Sequence, residues 1–517
     1  MEPRSLWRVR KIMSAKSLMV MGTASDVGKS AVVSGLCRAA RRAAIRVAPF
    51  KAQNMSNNAA VCAGGEIGRA QAAQAEACGL EPTVDMNPVL LKPESELGCQ
   101  VVIAGRARFH MHAMEHQRYR AEAWPQIVES YARLAREFDL IVIEGAGGAA
   151  EINLRDRDLV NWRIAELADA PVLIVGDIDR GGVFASLFGT VELLQPHERA
   201  RVKGLVINKF RGDRRLLEDG LRMLERRTGV PVLGVLPYLS GLRIPHEDSV
   251  VLDAPASRTG TGQFEIAVGV LRFPLISNFT DFAPLEDEPG VAVHYLTEPA
   301  AALELDVVML PGSKNTTADL HWLRRTGWEE YLAMHRARGG WTLGVCGGYQ
   351  MLGRRIVDAF AVESKSPVTR GLGLLDVETH FEREKITARV RGVHLASGLE
   401  VSGYEIHAGR VTRGEGAHPF LRITERERCA VDEPEGASSH DGRVAGTSMH
   451  GLFDSAQFRR SFVDLLRREK GLAPLRSAGE DFKSVRERAY DLMADAVEQY
   501  LDVPKLLSLA GLNRAEK

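Results

Sequence analysis

Trp341–Gly353 reads WTLGVCGGYQMLG: a short apolar run ends at Gly344 and passes through Val345, Cys346, Gly347 and Gly348 into a helix-like Tyr349-Gln350-Met351-Leu352. Strand, Gly-x-Cys-x-Gly and helix, in that order, make a nucleophile elbow with cysteine in place of serine. The neighbours must be small because the nucleophile sits on a strained turn. A helix N-terminus then faces the sulfur and favours thiolate, and the Gly347 N–H can meet a developing oxyanion. The competing reading is a buried cysteine in a glycine-rich turn. Against it stands Gly446-Thr447-Ser448-Met449-His450-Gly451, where a late apolar strand delivers His450 into a Gly-flanked turn. A cysteine on an elbow with a histidine at a later strand end suits thiolate–imidazole catalysis. His407 is the competing base. Upstream, the strand Leu305–Leu310 ends in Pro311-Gly312-Ser313-Lys314, whose Gly312 and Ser313 can supply a second oxyanion N–H.

The first half of the chain carries a different signal. Ser17–Met21 is a short apolar strand, followed by Gly22-Thr23-Ala24-Ser25-Asp26-Val27-Gly28-Lys29-Ser30 and a helix-like Ala31–Arg42. This predicts a phosphate-binding loop, with its leading glycine one residue early. Gly22 and Gly28 shape the cradle, Lys29 meets the terminal phosphates of ATP, and Ser30 offers its hydroxyl to Mg²⁺. Further apolar runs end in Glu144, in Asp177-Ile178-Asp179, in Asn208-Lys209 and in Pro237. Continuous apolar strands alternating with helical stretches predict a parallel α/β sheet, with ligands beyond the carboxyl ends of its strands. Glu144 is expected to join Ser30 at Mg²⁺, and Asn208 to lie at the ATP site.

The 517 residues exceed one domain. The expected division is an N-terminal extension over 1–17, a domain with the phosphate loop over 18–253, a linker over 254–263, a domain with the cysteine elbow over 264–460 and a helical C-terminal segment over 461–517. Lys+Arg and Asp+Glu both number 67, which gives no global pull toward nucleic acid. No apolar run approaches a membrane span, and residues 1–20 lack the apolar core of a signal peptide. The six cysteines show no CxxC pairing, so free thiols in a reducing cytoplasm are expected. Pro49–Asn58 and Asn87–Pro93 are dense in amide and lysine side chains. From them Lys51, Asn54, Asn57 and Lys92, with Arg180, are candidate partners for a substrate carboxylate. Arg69, Arg155 and Arg211 are further donors. A phosphate loop facing such donors points to activation of an acid by ATP.

The second half resembles the class I glutamine amidotransferases, in the branch of the corrin-ring amidating enzymes, and the first resembles dethiobiotin synthetase-like ATPases. The resemblance is carried by PFKAQNMSNN (49–58), IGRAQAAQA (67–75), MNPVLLKP (86–93), EGAGGAAEINLRDRDLVN (144–161), VGDIDRGGVFAS (175–186), INKFRG (207–212), GVCGGYQMLG (344–353), GYEIHAGR (403–410) and GTSMHGLFD (446–454). It implies Cys346 as nucleophile and His450 as base. It also implies ATP, glutamine and a corrinoid acid as small-molecule substrates, with no tightly bound organic cofactor. The reaction it implies is amidation of the b, d, e and g carboxylates of adenosylcobyrinic acid a,c-diamide. A sister activity of the same group makes the a,c-diamide itself, and the QNMSNN loop favours the later step. A rival of another class is a regulatory P-loop ATPase fused to an inert amidotransferase-like module. Many class I enzymes complete a triad with His-x-Glu, but the position two after His450 is Leu452. The sequence therefore leaves open which acid orients His450, or whether cysteine and histidine act as a dyad, and it leaves the oligomeric state open as well.

Overall fold

The structure is a computed structural model that describes residues 14–95, 98–112, 116–242, 264–299, 304–475 and 479–512. The expected linker 254–263, and residues 1–13 of the expected extension, lie outside the described residues.

Six strands of the first domain run parallel, in the order Val232–Pro237, Val202–Phe210, Val172–Asp177, Lys16–Gly22, Leu140–Glu144 and Val47–Phe50. Their Val, Ile and Leu runs are buried on both faces, as helix-covered parallel strands must be. Lys16–Gly22 lies between Leu140–Glu144 and Val172–Asp177, so the chain leaves the middle of the sheet in opposite directions. That switch point opens a crevice at the carboxyl ends, where Gly22–Ser30, Glu144 and Asp177 meet.

The second domain has a sheet in the order Val291–Leu296, Ile266–Leu271, Val307–Leu310, Trp341–Val345, Val444–Thr447 and Ala437–Ser438, parallel except for its last pair. Beside it stands a sheet built on the long antiparallel hairpin Val377–His394 and Glu400–Arg413. The chain crosses between them at the functional motif: Thr447 pairs with Val345 in the first sheet, and His450 pairs with Tyr404 in the second. The domains meet through a small apolar patch in which Val61, Leu90 and Val102 face Tyr404 and Ile406. Ion pairs flank it, Lys385 to Glu66 at 2.8 Å and Lys314 to Glu94 at 2.6 Å.

The C-terminal stretch expected as one helical unit from 461 divides between the domains. Helix Ala456–Glu469 buries Phe458, Val463 and Leu466 against Ile266 and Val268 of the second. Helix Phe482–Tyr500 returns to the first, packing Met493 and Val497 on Val32, Val33 and Leu36 of the P-loop helix Lys29–Arg42. Arg38 holds Asp491 at 2.8 Å and Arg42 holds Asp495 at 2.6 Å. Apolar spacing can mark an amphipathic helix, but it carries no information about which domain supplies the partner face. Gly35 lets the two helices approach, since a Cβ there would stand 2.8 Å from Val497 Cγ2 and 2.9 Å from the Met493 carbonyl oxygen. Gly35→Val should therefore cost about 1–3 kcal/mol through overpacking, read as a lower urea midpoint for the first domain.

Candidate active site

Cys346 has φ 51° and ψ −110°, a conformation that non-glycine residues avoid and that clusters at functional sites. Its neighbours explain how it is held. A Cβ on Gly348 would lie 2.0 Å from the Leu310 carbonyl oxygen, and one on Gly344 would lie 2.6 Å from the Tyr349 nitrogen. Only glycine lets the turn close this tightly. The Cys346 N–H donates to Thr447 O at 2.8 Å, tying the elbow to the strand that leads to His450. Gly347 sits against the other expected oxyanion donor, since its Cβ would be 2.8 Å from Ser313 N. A Cβ on Gly312 would be 3.2 Å from His450 Cε1, so Gly312, Ser313 and Gly347 gather at the same spot as the cysteine and the imidazole.

The acid missing from the sequence motif is Asp281. Its Oδ2 lies 2.7 Å from His450 Nδ1, and its Oδ1 accepts from Gly451 N–H at 3.1 Å. The side chains of the pair are 1% and 4% exposed. Burial alone would push the His450 pKa down, but the Asp281 carboxylate and the adjacent Cys346 raise it to about 10. The imidazole is thus held as a cation beside the sulfur, the arrangement that activates a thiol. His407 is a different kind of histidine. Its Nδ1 donates to Gly409 O at 2.7 Å, and burial depresses its pKa to about 4. It stays neutral and has no carboxylate partner among the described residues, which suits it less than His450 to act as the base. Asn278 places its amide nitrogen 3.3 Å from His450 Nε2 while its oxygen accepts from Ala59 N–H of the first domain at 2.9 Å. Neither Asp281 nor Asn278 stands near the histidine in sequence. The only local cue was three polar residues, Asn278, Thr280 and Asp281, set among phenylalanines in Asn278–Phe282.

In the first domain the expected ATP-site residues converge. Gly28 takes φ 95° in front of Asn208, whose Nδ2 donates to Val27 O at 2.9 Å and buttresses the loop. A Cβ on Gly22 would be 2.6 Å from Val27 Cγ2, which accounts for the early glycine. Lys29 Nζ donates to the carbonyls of Ala24 (2.8 Å) and Gly147 (3.0 Å). Glu144 is fully buried, and accepts from Ser30 Oγ at 2.9 Å, from Lys51 Nζ at 3.0 Å and from Gln74 Nε2. Two strands away, the ends of Val202–Phe210 and Val232–Pro237 with Tyr500 line a pocket of about 380 Å³, where Arg211 lies over the Tyr238 ring at 3.3 Å.

Four of the five expected carboxylate partners make contacts within the chain. Lys51 belongs to the Glu144 cluster. Asn54 is buried and donates to Gln71 Oε1 at 2.9 Å. Asn57 donates to Pro93 O at 3.1 Å. Lys92 is buried against Glu66, whose carboxyl is held down to about 2 despite burial because Lys385 and Lys92 both face it. These loops are amide-rich because they bury backbone and charge at a domain junction, where every polar group needs a partner. Arg180 alone is largely exposed, reaching Asp26 and, at 3.8 Å, Asp177.

Removing the Asp281 charge while keeping its shape tests the orienting role. In Asp281→Asn the His450 ring, followed by nitrogen NMR, should titrate well below the native value of about 10. Less imidazolium then remains at neutral pH, and glutamine hydrolysis should fall by about 10²–10⁴-fold in kcat.

Comparison with known proteins agrees with both halves. Residues 18–251 match the CobQ/CobB/MinD/ParA nucleotide binding domain, and residues 267–458 match the CobB/CobQ-like glutamine amidotransferase domain. A protein named cobyric acid synthase from Sorangium cellulosum (strain So ce56) is 51% identical, covering 97% of this chain and 100% of that protein. Another of that name, from Photorhabdus laumondii, is 48% identical over 96% of this chain and 98% of its own length. A third, from Yersinia enterocolitica, is 47% identical over 97% and 99%. Among the described residues no helix is long and apolar enough to cross a membrane. With similarity running nearly end to end through both domains, the chain belongs to the cobyric acid synthase family of glutamine amidotransferases.

Proposed function

We propose that the protein uses ATP and glutamine to amidate the b, d, e and g carboxylates of adenosylcobyrinic acid a,c-diamide, giving cobyric acid. The observation that carries this reading is the meeting of Cys346, His450 and Asp281 against the domain that holds the phosphate loop. A binding module without chemistry has no need of a strained cysteine beside a carboxylate-charged imidazole, so this set argues against the inert-module rival.

The Cys346 thiolate adds to the amide carbon of glutamine, and the oxyanion takes hydrogen bonds from N–H groups at Gly347 and at Gly312 or Ser313. His450 gives its proton to the departing nitrogen, so ammonia leaves and a thioester remains. His450 then takes a proton from water, which displaces the cysteine and releases glutamate. In the first domain a substrate carboxylate oxygen attacks the γ-phosphorus of ATP and ADP leaves. Ammonia next adds to the acyl carbon and phosphate departs, leaving the amide. Lys29 and the loop N–H groups hold the phosphates in line. The pocket beside Tyr238 suits the nucleobase. Ser30 Oγ and Glu144 Oε1, 2.9 Å apart, are hard oxygen donors that fit Mg²⁺. Bound there, Mg²⁺ would offset charge on the transferring phosphoryl group. Ammonia has to cross from one site to the other unprotonated, which requires a route shielded from bulk water.

Cys346→Ser should abolish glutamine-driven amidation and leave ammonia-driven amidation near the native rate, whereas Lys29→Ala should lose both. Loss of ammonia-driven activity in a folded Cys346→Ser protein would contradict the two-site assignment. Mass spectrometry of the exhausted reaction distinguishes the sister activity: growth of an a,c-diamide substrate by further amides supports this reading, and an inert a,c-diamide overturns it.

A further inference from the structure

The catalytic imidazole is covered by an aromatic ring that the second domain does not hold by itself. Tyr404 stacks on His450 with centroids 5.1 Å apart and planes 16° from parallel. Its hydroxyl accepts a hydrogen bond from Arg69 Nη2, and the Arg69 guanidinium carbon lies 4.8 Å from the ring centroid. Arg69 belongs to the first domain. It opens the helix Arg69–Cys78, and its own N–H is anchored on Asn58 O at 3.0 Å. Further along this helix, Gln74 donates to Glu144 in the phosphate-loop cluster. One rigid element, with about 7.5 Å of rise between the two residues, therefore touches both reaction centres.

The stack matters because thiolate catalysis needs the imidazole in one plane. Asp281 meets Nδ1 and Asn278 lies 3.3 Å from Nε2, but both contacts lie at the ring edge and leave the ring free to tilt about the line that joins them. A flat ring on one face removes this freedom, provided the covering ring is itself held. Tyr404 is 8% exposed, and its polar end is fixed by the guanidinium. The sequence alone marked Arg69 as one of several carboxylate donors. The structure gives its Nη2 to a phenol instead.

We propose that Arg69 is a positioning residue for glutamine hydrolysis, supplied across the interface by the synthetase domain and acting through Tyr404 on the plane of His450. The proposal rests on Cys346 and His450 being the hydrolytic pair. The glutamine site is then complete only when the two domains are docked, so ammonia is released where the first domain is in place to receive it.

The test is steady-state glutaminase kinetics on the full chain, alongside ammonia-driven amidation. Arg69→Met should lower kcat for glutamine hydrolysis by about 10- to 100-fold, with KM for glutamine changed by less than about twofold. Ammonia-driven amidation should keep its native rate, which also shows that the protein is folded and docked. Arg69→Lys, which retains a charged donor, should recover part of the loss. Tyr404→Phe keeps the apolar ring and removes only the hydroxyl, so it should reproduce the Arg69→Met defect. Combining Tyr404→Phe with Arg69→Met should then add almost nothing further. The proposal is overturned if ammonia-driven amidation falls as far as hydrolysis, if the two substitutions multiply, or if hydrolysis is unaffected. Failure of the underlying reading would look different: Cys346→Ser would go on releasing glutamate.

Discussion

A carboxylate and an imidazole kept almost wholly from water constrain the rest of the second domain. Burying an ion costs several kcal/mol unless the partner geometry is good. Asp281 meets the condition with the His450 ring on one oxygen and the Gly451 N–H on the other. To keep these bonds in register, strand Met449–His450 must lie on Glu400–Arg413, and the turn holding Asp281 must face it. Gly403 permits the first, because a Cβ there would come within 1.9 Å of the His450 carbonyl oxygen. Gly403, the first of the two glycines in GYEIHAGR, thus lets the strand carrying His450 close on its neighbour although it lies far from Cys346 in sequence.

The first domain shows the same economy around Glu144. A fully buried carboxylate there collects a hydroxyl, an ammonium and an amide, drawn from the phosphate loop, from Lys51 and from helix Arg69–Cys78. Since Lys51 opens the amide-rich loop and Gln74 shares its helix with Arg69, the phosphate site is mechanically continuous with the interface. Just past that loop is Ala59, whose N–H donates to the Asn278 amide beside His450. Both edges of the imidazole environment therefore register how the first domain sits. The C-terminal helix adds a second tie: Arg486 reaches Glu76 on the first domain at 3.1 Å and Asp454, just past the histidine motif, at 3.3 Å.

Short-range chemistry was readable without coordinates. The phosphate loop, the elbow, the strand-end carboxylate Glu144 and the histidine at the end of a late strand each occupy a few consecutive residues, and their conformations follow from glycine placement and apolar runs. Substrate contacts were not readable in the same way. Lysine and asparagine in a loop serve equally as donors to a ligand or as buried partners for a neighbouring domain, and composition cannot tell these apart. Lys92 and Asn54 meet Glu66 and Gln71 of their own domain, contacts that composition does not reveal.

What the chain determined by itself was two parallel α/β units with a nucleophile in one and a phosphate cradle in the other, because hydrophobic period and tight turns are local properties. Only the tertiary structure decided which acid orients His450, which histidine lacks a charge partner, where the last helix docks and which residue holds Tyr404. Each of those is a contact between segments far apart in the chain, such as Asp281 with His450 or Arg38 with Asp491. Contacts of that kind leave no spacing to read, since they depend on how whole elements pack and not on the local period of the chain.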